Sequence, residues 1–176
     1  MQTNQPQPTT HPNKPRTIVG VDPGGTTGLA IIQPIGPSTD PTAGGKFRFN
    51  LLDAGQLPWE QRVYLREEIQ LWHEAYDIVA VACEAFVLRP GRAQQLVGSD
   101  FPSVRIIGIL EEALSTYNLL DRLYLQQPSQ AKRAAILPEH AHLLSGPHDR
   151  DAYRHARVWM LLNRHLFTPT PEKELQ

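Results

Sequence analysis

Cysteine is almost absent from this 176-residue chain, which contains only Cys83. A single cysteine excludes an intramolecular disulfide and a zinc site built from several cysteines. No apolar run approaches the roughly 20 residues that a membrane-spanning helix needs. The first residues also lack the apolar core of a secretory signal. These absences predict a cytoplasmic protein that does not associate with membranes.

An excess of charge of one sign is also missing, because 17 Lys and Arg side chains face 18 Asp and Glu side chains. Many nucleic-acid-binding proteins are basic overall, but a basic face can coexist with an acidic metal site, so the balance decides nothing. Residues 1–15 are rich in Pro, Gln, Asn and Thr and predict a disordered arm. A single domain is expected over 16–166, followed by a polar tail over 167–176.

The most informative stretch is Ile18–Ile32, in which two apolar runs flank the turn sequence Asp-Pro-Gly-Gly. This pattern predicts a β-hairpin with strands over Arg16–Val21 and Thr27–Gln33. Asp22 then lies where the first strand ends. Proline presets φ for the turn, and the two glycines permit left-handed or strained backbone there. An isolated turn of this kind is as often a plain hairpin as a functional site.

The rest of the chain alternates strand and helix patterns. The apolar run Ile78–Cys83 predicts a buried strand, and the helical pattern before it predicts a crossover and therefore parallel pairing. The complete prediction is a mixed α/β domain with five strands in the order βββ-α-β-α-β-α-α. The further elements are a strand over 46–54, a helix over 59–76, a helix over 104–118 capped by Ser103, a strand over 123–127, a helix over 128–136, a loop over 137–147 and a helix over 149–166.

Acidic side chains stand where a site is expected. Asp22 and Glu84 each close a predicted strand, and open α/β sheets place their sites at the carboxyl ends of strands. At the start of the last helix, His148, Asp151 and His155 are spaced i, i+3 and i+7 and share one face. Converging oxygen ligands suit Mg²⁺ or Mn²⁺, and two such ions could clamp a phosphoryl displacement. Taken singly, each residue also has an ordinary reading, as a strand terminator or a helix cap.

Taken in order, these motifs resemble the RNase H-like nuclease superfamily, and within it the phage-like RuvC-type Holliday junction resolvases. The resemblance is carried by Ile18–Ile32, Val79–Phe86 and His148–Ala156, with Pro128–Lys132 similar to the family's Pro-x-x-x-Lys segment. It implies an RNase H-like fold, in which an antiparallel three-strand meander and parallel strands form one sheet flanked by helices. It also implies a homodimer that cuts four-way DNA junctions by paired symmetric nicks, in the host cytoplasm if it is phage-encoded. The implied cofactors are two Mg²⁺ ions per site, with Mn²⁺ as a substitute, and no small-molecule cofactor.

The resemblance also implies roles for individual residues. Asp22, Glu84 and Asp151 match the family's metal-binding carboxylates, and His148 matches the fourth position, where family members carry Asp or His. Asp149 competes for that fourth role. His148 is favoured because it shares the face of Asp151, whereas Asp149 points about 200° away from Asp151 on an ideal helix. Whether His148 ligates metal, positions water or acts as a general base stays open.

Five side chains are candidates for contacting DNA. Arg89 and Arg92 follow Glu84, and Lys132 and Arg133 follow the fifth strand, so all four are expected near the edge that carries the site. Phe86 could wedge or stack against a base, as an aromatic residue does in this region of some family members. The ordinary alternatives are solvated surface for the four cations and core packing for Phe86.

Three other functions remain open at this point. The Asp–Glu–Asp order does not separate a junction resolvase from a nuclease that cuts RNA–DNA hybrids or other branched DNA. The Asp22–Thr27 turn resembles the first phosphate loop of sugar-kinase and actin-like ATPases, but 176 residues leave no room for their two domains. A catalytically inactive nucleic-acid-binding module is disfavoured because an acidic cluster without metal repels phosphates.

Overall fold

A mixed five-stranded sheet in the order β3-β2-β1-β4-β5 forms the centre of the fold. This computed structural model describes residues 14–38, 46–87 and 100–168. Arg89 and Arg92 lie outside the described residues, as does most of the predicted arm and tail. The strands are β1 Arg16–Asp22, β2 Thr26–Pro37, β3 Phe47–Pro58, β4 Asp77–Glu84 and β5 Leu123–Gln126. The helices are α1 Leu65–Ala75, α2 Pro102–Thr116, α3 Pro128–Ala131, α4 Pro138–Ala141 and α5 Pro147–Leu162.

Strand directions follow the chain order. β1, β2 and β3 form an antiparallel meander, and β4 and β5 add in parallel beside β1. The predicted combination of a three-strand meander with parallel strands is therefore confirmed. β4 is buried along almost its whole length because helices cover both faces of the sheet, which explains its continuous apolar sequence.

The core consists of two layers, one on each face of the sheet. On one face, α1 and α2 pack against alternate residues of β1 and β4, and on the other face α5 packs against the intervening residues. The α1 and α2 layer contributes the buried side chains of Leu65, Ile69, Trp72, Ile106, Leu110 and Leu114. The α5 layer contributes Ala152, Tyr153, Ala156, Trp159 and Met160. In each of these three helices the buried residues recur at helical spacing and so share one face.

Helix boundaries differ from the prediction mainly at prolines. The predicted helix over 59–76 begins with a 3-10 segment, Trp59–Tyr64, and becomes α-helical only at Leu65. The predicted helix over 128–136 is a single turn, and the predicted loop over 137–147 contains α4. The last helix begins at Pro147 rather than Asp149, because proline at the first helical position is preset for the helix and sacrifices no hydrogen bond. None of the described helices is long and apolar enough to cross a membrane.

Ser103 does not cap α2, so that prediction was wrong. The residue before the helix is Phe101, which makes no side-chain capping bond, and Pro102 begins the first turn. The Ser103 hydroxyl instead donates to the carbonyl oxygen of Pro23 at 2.7 Å. It therefore ties the start of α2 to the turn that follows β1.

The glycines that the fold requires are in strands rather than in the turn. Neither Gly24 nor Gly25 has a positive φ, and Gly36 is the described glycine that does (φ 118°). A Cβ added at Gly20 would lie 1.9 Å from the carbonyl oxygen of Ala152. At Gly28 it would lie 2.0 Å from the carbonyl oxygen of His148. The backbone of α5 therefore rests directly on the β1–β2 hairpin, in space that only glycine leaves free.

Both ends of the described chain contact the domain. Lys14, within the predicted arm, donates through Nζ to the carbonyl oxygen of His73 at 2.8 Å, and the amide of Asp77 donates to Pro15 at 3.0 Å. Phe167, in the predicted tail, packs edge-on against Phe47 with ring centroids 6.3 Å apart. Lys14 and Phe167, which lie just outside the predicted domain limits, therefore both contact the domain.

Candidate active site

Two adjacent strands deliver carboxylates to the same edge of the sheet. β1 and β4 are parallel with Val21 opposite Cys83, and the next residue of each strand is Asp22 and Glu84. Parallel neighbours lie about 4.8 Å apart, so the two side chains leave the sheet side by side. Glu84 also stands opposite Gln126, the last residue of β5. The predicted positions of both acids at strand ends are as the structure has them.

The amino-terminal end of α5 brings His148 to this edge. Nδ1 of His148 lies 2.8 Å from Oδ2 of Asp22. The Asp22 side chain is 13% exposed and that of His148 is 40% exposed, so the pair lies at the boundary between core and solvent. Gly28 makes the contact possible, because it pairs with Asp22 across the hairpin and leaves room for the His148 backbone.

Asp151 lies one turn further along α5. Its Oδ1 accepts from Nη1 of Arg154 at 2.5 Å, and both side chains are about one-third exposed. Asp151 makes no hydrogen bond to Asp22 or Glu84, but its charge reaches Asp22 and raises the pKa of that carboxyl. The three carboxylates and His148 therefore share one neighbourhood, although they come from three separate parts of the chain.

Electrostatics make Asp22 reluctant to ionise. Burial is the main cause that raises its pKa above the ordinary value, and the negative charges of Glu84 and Asp151 raise it further. The hydrogen bond from His148 acts in the opposite direction but does not cancel the other effects. A desolvated carboxylate facing two like charges is the environment that a bound cation would relieve.

Asp149, the alternative to His148, has a structural role. Its side chain is fully buried, and its carboxylate accepts from the amide and hydroxyl of Ser145 at 2.7 and 2.8 Å and from the amide of Gly146 at 3.0 Å. These bonds satisfy donors at the start of α5, where a carboxylate also interacts favourably with the helix dipole. The carboxylate of Asp149 is therefore occupied in capping its own helix.

The donor types suit a hard divalent cation, although no ligand cage is already assembled. Within the described ranges, no group of three or more His, Cys, Asp or Glu side chains is arranged to hold a metal ion. Each carboxylate instead pairs with a protein partner, as Asp151 does with Arg154 and Asp22 does with His148. Three carboxylates and one imidazole are nevertheless the ligands that Mg²⁺ and Mn²⁺ accept in proteins. The raised pKa of Asp22 is the observation that favours a cation there.

Two further polar residues belong to the site. Nε2 of His155 lies 3.1 Å from Oε2 of Glu84, and its Nδ1 lies 2.8 Å from Oε1 of Gln126. The helical spacing predicted that His155 shares the face of His148, but no pattern assigned it a partner. Gln126 was expected only as part of the fifth strand. The sequence signal that could have identified Gln126 is its position, because it ends β5, the strand next to the one that ends in Glu84.

A cavity of about 410 Å³ opens beside Glu84. Its walls include Pro23, Phe86, Ser103 and Lys132, so it lies between the end of β4, the start of α2 and α3. Phe86 is 39% exposed and stacks at a tilt on Phe101, with ring centroids 5.0 Å apart.

Of the five predicted DNA-contacting residues, Phe86 and Lys132 therefore line the cavity. Arg133 is exposed but is not part of the cavity wall. Arg89 and Arg92 are outside the described residues. The structure thus brings two of the five predicted contacts to one concave surface beside the acidic cluster.

Comparison with known proteins supports the fold through structure rather than sequence. No protein-family model and no curated protein sequence matches the chain. The solved structure of Thermus thermophilus RuvC superposes with a TM-score of 0.55 and 20% identity over 86% of this chain and 97% of that one. The structure of T. thermophilus RuvC in complex with Holliday junction substrate gives 0.53 and 18%, over 86% and 96%. The predicted fold class is confirmed: this chain has the RNase H-like fold seen in RuvC.

Proposed function

We propose that this protein is a structure-selective endonuclease that resolves four-way DNA junctions by metal-dependent phosphodiester hydrolysis. The observation that carries the proposal is the convergence of Asp22, Glu84, Asp151 and His148 at one sheet edge of a RuvC-like fold. One structure with that fold is of RuvC bound to Holliday junction substrate. Paired symmetric nicks need two active sites on one junction, so the proposed active form is a homodimer.

Asp22, Glu84 and Asp151 are the proposed ligands of Mg²⁺ or Mn²⁺, with two ions per site. When bound, these ions supply positive charge that neutralises the scissile phosphate and activates water. Asp22 is held in place by burial and by His148, whereas Asp151 must exchange its bond to Arg154 for the metal. Of the two carboxylates at the β1–α5 contact, Asp22 is therefore fixed before the metal binds, whereas Asp151 is free to exchange its partner.

His148 is the proposed proton acceptor. Ionised Asp22 has only lone pairs to offer, so Nδ1 of His148 carries the hydrogen that bridges the two side chains. In the neutral form of the ring the second nitrogen, Nε2, presents a lone pair, and it has no protein partner in the described part of the chain. Asp22 thus orients His148 so that Nε2 can accept a proton from the attacking water. This geometry favours the general-base role among the three that the sequence left open.

The cavity beside Glu84 is the proposed position of the DNA strand at the cut. Lys132 on its wall provides a cation for a phosphate, and the exposed face of Phe86 provides a surface for an unstacked base. Arg133, Arg89 and Arg92 are proposed as further phosphate contacts, of which Arg89 and Arg92 lie outside the described residues. The shared cavity of Glu84, Phe86 and Lys132 supports a charge contact and a stacking contact beside one of the proposed metal ligands.

Incubation with a synthetic four-way junction, with Mg²⁺, with Mn²⁺ or with EDTA, tests the proposal. We expect paired nicks at symmetric positions in opposing strands when either metal is present and none with EDTA. The Asp22→Asn and Glu84→Gln variants should bind the junction in EDTA as the wild type does but should not cut it in Mg²⁺. Full cleavage by either variant would refute the assignment of the site.

Parallel substrates separate the alternatives. Cleavage of an RNA–DNA hybrid but not of the junction would assign the protein to a different nuclease class with the same fold. ATP hydrolysis without nucleic acid would favour the ATPase reading of the Asp22–Thr27 turn. Junction binding without cleavage in any metal would favour a module that binds DNA without cutting it.

A further inference from the structure

His155 is a fully buried polar side chain that the proposed chemistry does not use. It lies on the inner face of α5, two turns beyond His148, where the neighbouring buried residues Ala152, Ala156 and Trp159 are apolar. Its ring reaches the carboxyl ends of β4 and β5, between Glu84 and Gln126. Because its side chain is 0% exposed, His155 cannot touch DNA and can act only through the residues that it contacts.

The hydrogen-bond geometry determines what His155 offers to Glu84. Ionised Glu84 can only accept, so Nε2 of His155, 3.1 Å from Oε2, must carry the hydrogen. If Oε1 of Gln126 accepts at Nδ1, both ring nitrogens donate. If the Gln126 amide is turned, its NH₂ group donates to Nδ1 and the hydrogen remains on Nε2. In both orientations of the amide, an N–H group points at Oε2 of Glu84.

Gln126 fixes the ring that makes this bond. It is directly opposite Glu84 in the β4–β5 pair, and its carbonyl oxygen accepts from the amide of Ala85 at 2.7 Å. The Gln126 side chain is 6% exposed and has little freedom to rotate away. The pairing of β4 with β5 therefore sets the distance between Gln126, which orients the ring, and Glu84, which the ring holds.

The hydrogen bond from His155 occupies only one of the two carboxylate oxygens of Glu84. Oε2 is bound by His155, whereas the Glu84 side chain is 28% exposed and lines the cavity beside the site. A donor on one oxygen restricts rotation of the carboxylate and leaves the other oxygen available to a second partner. Residues that orient metal ligands in this way commonly change metal affinity or activity by about 10- to 100-fold when they are replaced.

We propose that His155, oriented by Gln126, is a positioning residue that holds the Glu84 carboxylate for divalent metal binding. The inference rests on the proposed function, because it assumes that Glu84 is a metal ligand. It assigns the roles of a buried histidine and a strand-end glutamine that neither the motifs nor the fold comparison identifies.

The matched variants are His155→Gln and His155→Met. The two new side chains have similar length and flexibility, but only glutamine can donate a hydrogen bond to Glu84. Metal binding is measured by isothermal titration calorimetry, in which Mn²⁺ is added to the metal-free protein without DNA and therefore without turnover. We expect His155→Met to weaken Mn²⁺ binding roughly 10-fold or more and His155→Gln to keep it within about threefold of the wild type.

A second readout separates positioning from structural damage. Affinity for the junction in EDTA should be unchanged in both variants, and the metal concentration that gives half-maximal cleavage should rise in His155→Met alone. Equal weakening of Mn²⁺ binding by both variants, or no weakening by a folded His155→Met, would overturn the proposal. If His155→Met does not fold, Gln126→Met is tested in its place. We expect that variant to bind Mn²⁺ more weakly than the wild type. An unchanged Mn²⁺ affinity would count against the proposal.

The two proposals fail in different ways. A wild-type protein that binds Mn²⁺ but cuts no junction refutes the proposed function, and the Mn²⁺ titration of the variants still judges the role of His155. A wild-type protein that binds no Mn²⁺ in the absence of DNA refutes the inference about His155, while junction cleavage still judges the proposed function.

Discussion

The carbonyl group of His148 rests on Gly28, so closely that a Cβ at that glycine would lie 2.0 Å from the oxygen and 2.1 Å from the carbon. Gly28 is also the residue opposite Asp22 in the hairpin. The same glycine therefore accepts the start of α5 and fixes the distance over which His148 reaches Asp22. The contact between Asp22 and His148 therefore forms only when α5 packs against the hairpin.

Gly28→Ala should displace the start of α5. The obstacle is backbone on both sides, so the strain cannot be relieved by a side-chain rotation, and we expect a loss of about 3 kcal/mol or more in the free energy of unfolding. Urea denaturation measures the loss, and junction cleavage should fall with it. Gly25→Ala is the control, because a Cβ there meets nothing within 4 Å and should change stability little. Equal stability of the two variants would contradict this account.

Asp22→Asn should stabilise the metal-free protein while abolishing cleavage. The pKa of Asp22 is raised above its ordinary value of 3.8, chiefly by burial and then by Glu84 and Asp151. The folded state is therefore favoured by protonated Asp22 below about pH 3.8, and this advantage is lost as the pH rises through the raised pKa. At pH 7 in EDTA the variant should have the higher Tm. Mn²⁺ should raise the Tm of the wild type more than that of the variant.

Asp121→Asn is the control for that comparison, since Asp121 is exposed and precedes β5, at the opposite end of that strand from Gln126. A lower Tm for Asp22→Asn than for the wild type in EDTA would show that the Asp22–His148 contact outweighs desolvation of the carboxylate.

Asp149 and Asp151 should separate stability from activity. Asp149→Ala leaves three donors of Ser145 and Gly146 without their buried carboxylate acceptor, and we expect a loss of about 2 kcal/mol in the free energy of unfolding. Asp151→Ala loses only a pair with Arg154 whose side chains are about one-third exposed, so stability should change by less than about 0.5 kcal/mol while cleavage is lost. Thermal denaturation and the junction assay measure both effects. The reverse pattern would exchange the two roles.

His140 should make the fold sensitive to mild acid. Burial lowers its pKa from the ordinary 6.5, with Arg157 and His142 lowering it further and Glu139 opposing them. The Tyr153 hydroxyl lies 3.0 Å from Nδ1, which accepts that hydrogen bond only when it is unprotonated. The stabilisation is therefore present above pH 6.5 and is lost as the pH falls through the lowered pKa. Stability measured from pH 7.5 to 5 should fall more steeply for the wild type than for His140→Gln.

Lys132 should contribute a phosphate contact. Because its side chain lines the cavity beside Glu84, Lys132→Ala should weaken junction binding and reduce the slope of log Kobs against log salt by about 1. Binding is measured in EDTA, where cleavage does not interfere. Arg66→Ala is the control, because Arg66 lies on α1 and pairs with Glu112 at 2.5 Å. An unchanged slope for Lys132→Ala would remove this residue from the DNA-contacting set.

The sequence by itself determined the order of the elements and the positions of the acids within them. Alternation and apolar runs specified the five strands, and helical patterns predicted the helices that contain α1, α2 and α5. These features depend on the local period of the chain, which a sequence displays directly. For the same reason, Asp22 and Glu84 could be placed at strand ends before any contact was known.

Only the tertiary structure decided which groups meet. The pairing of His148 with Asp22 spans 126 positions, and that of His155 with Glu84 spans 71, and no periodic pattern encodes such partners. The importance of Gly20 and Gly28 was equally invisible, because a glycine in a strand shows its purpose only when a helix lies against it. The local hydrophobic pattern determines the position of a residue within its strand or helix and the face on which its side chain lies. The packing of α5 on the sheet fixes what that side chain contacts, because it depends on the space that the other elements leave free.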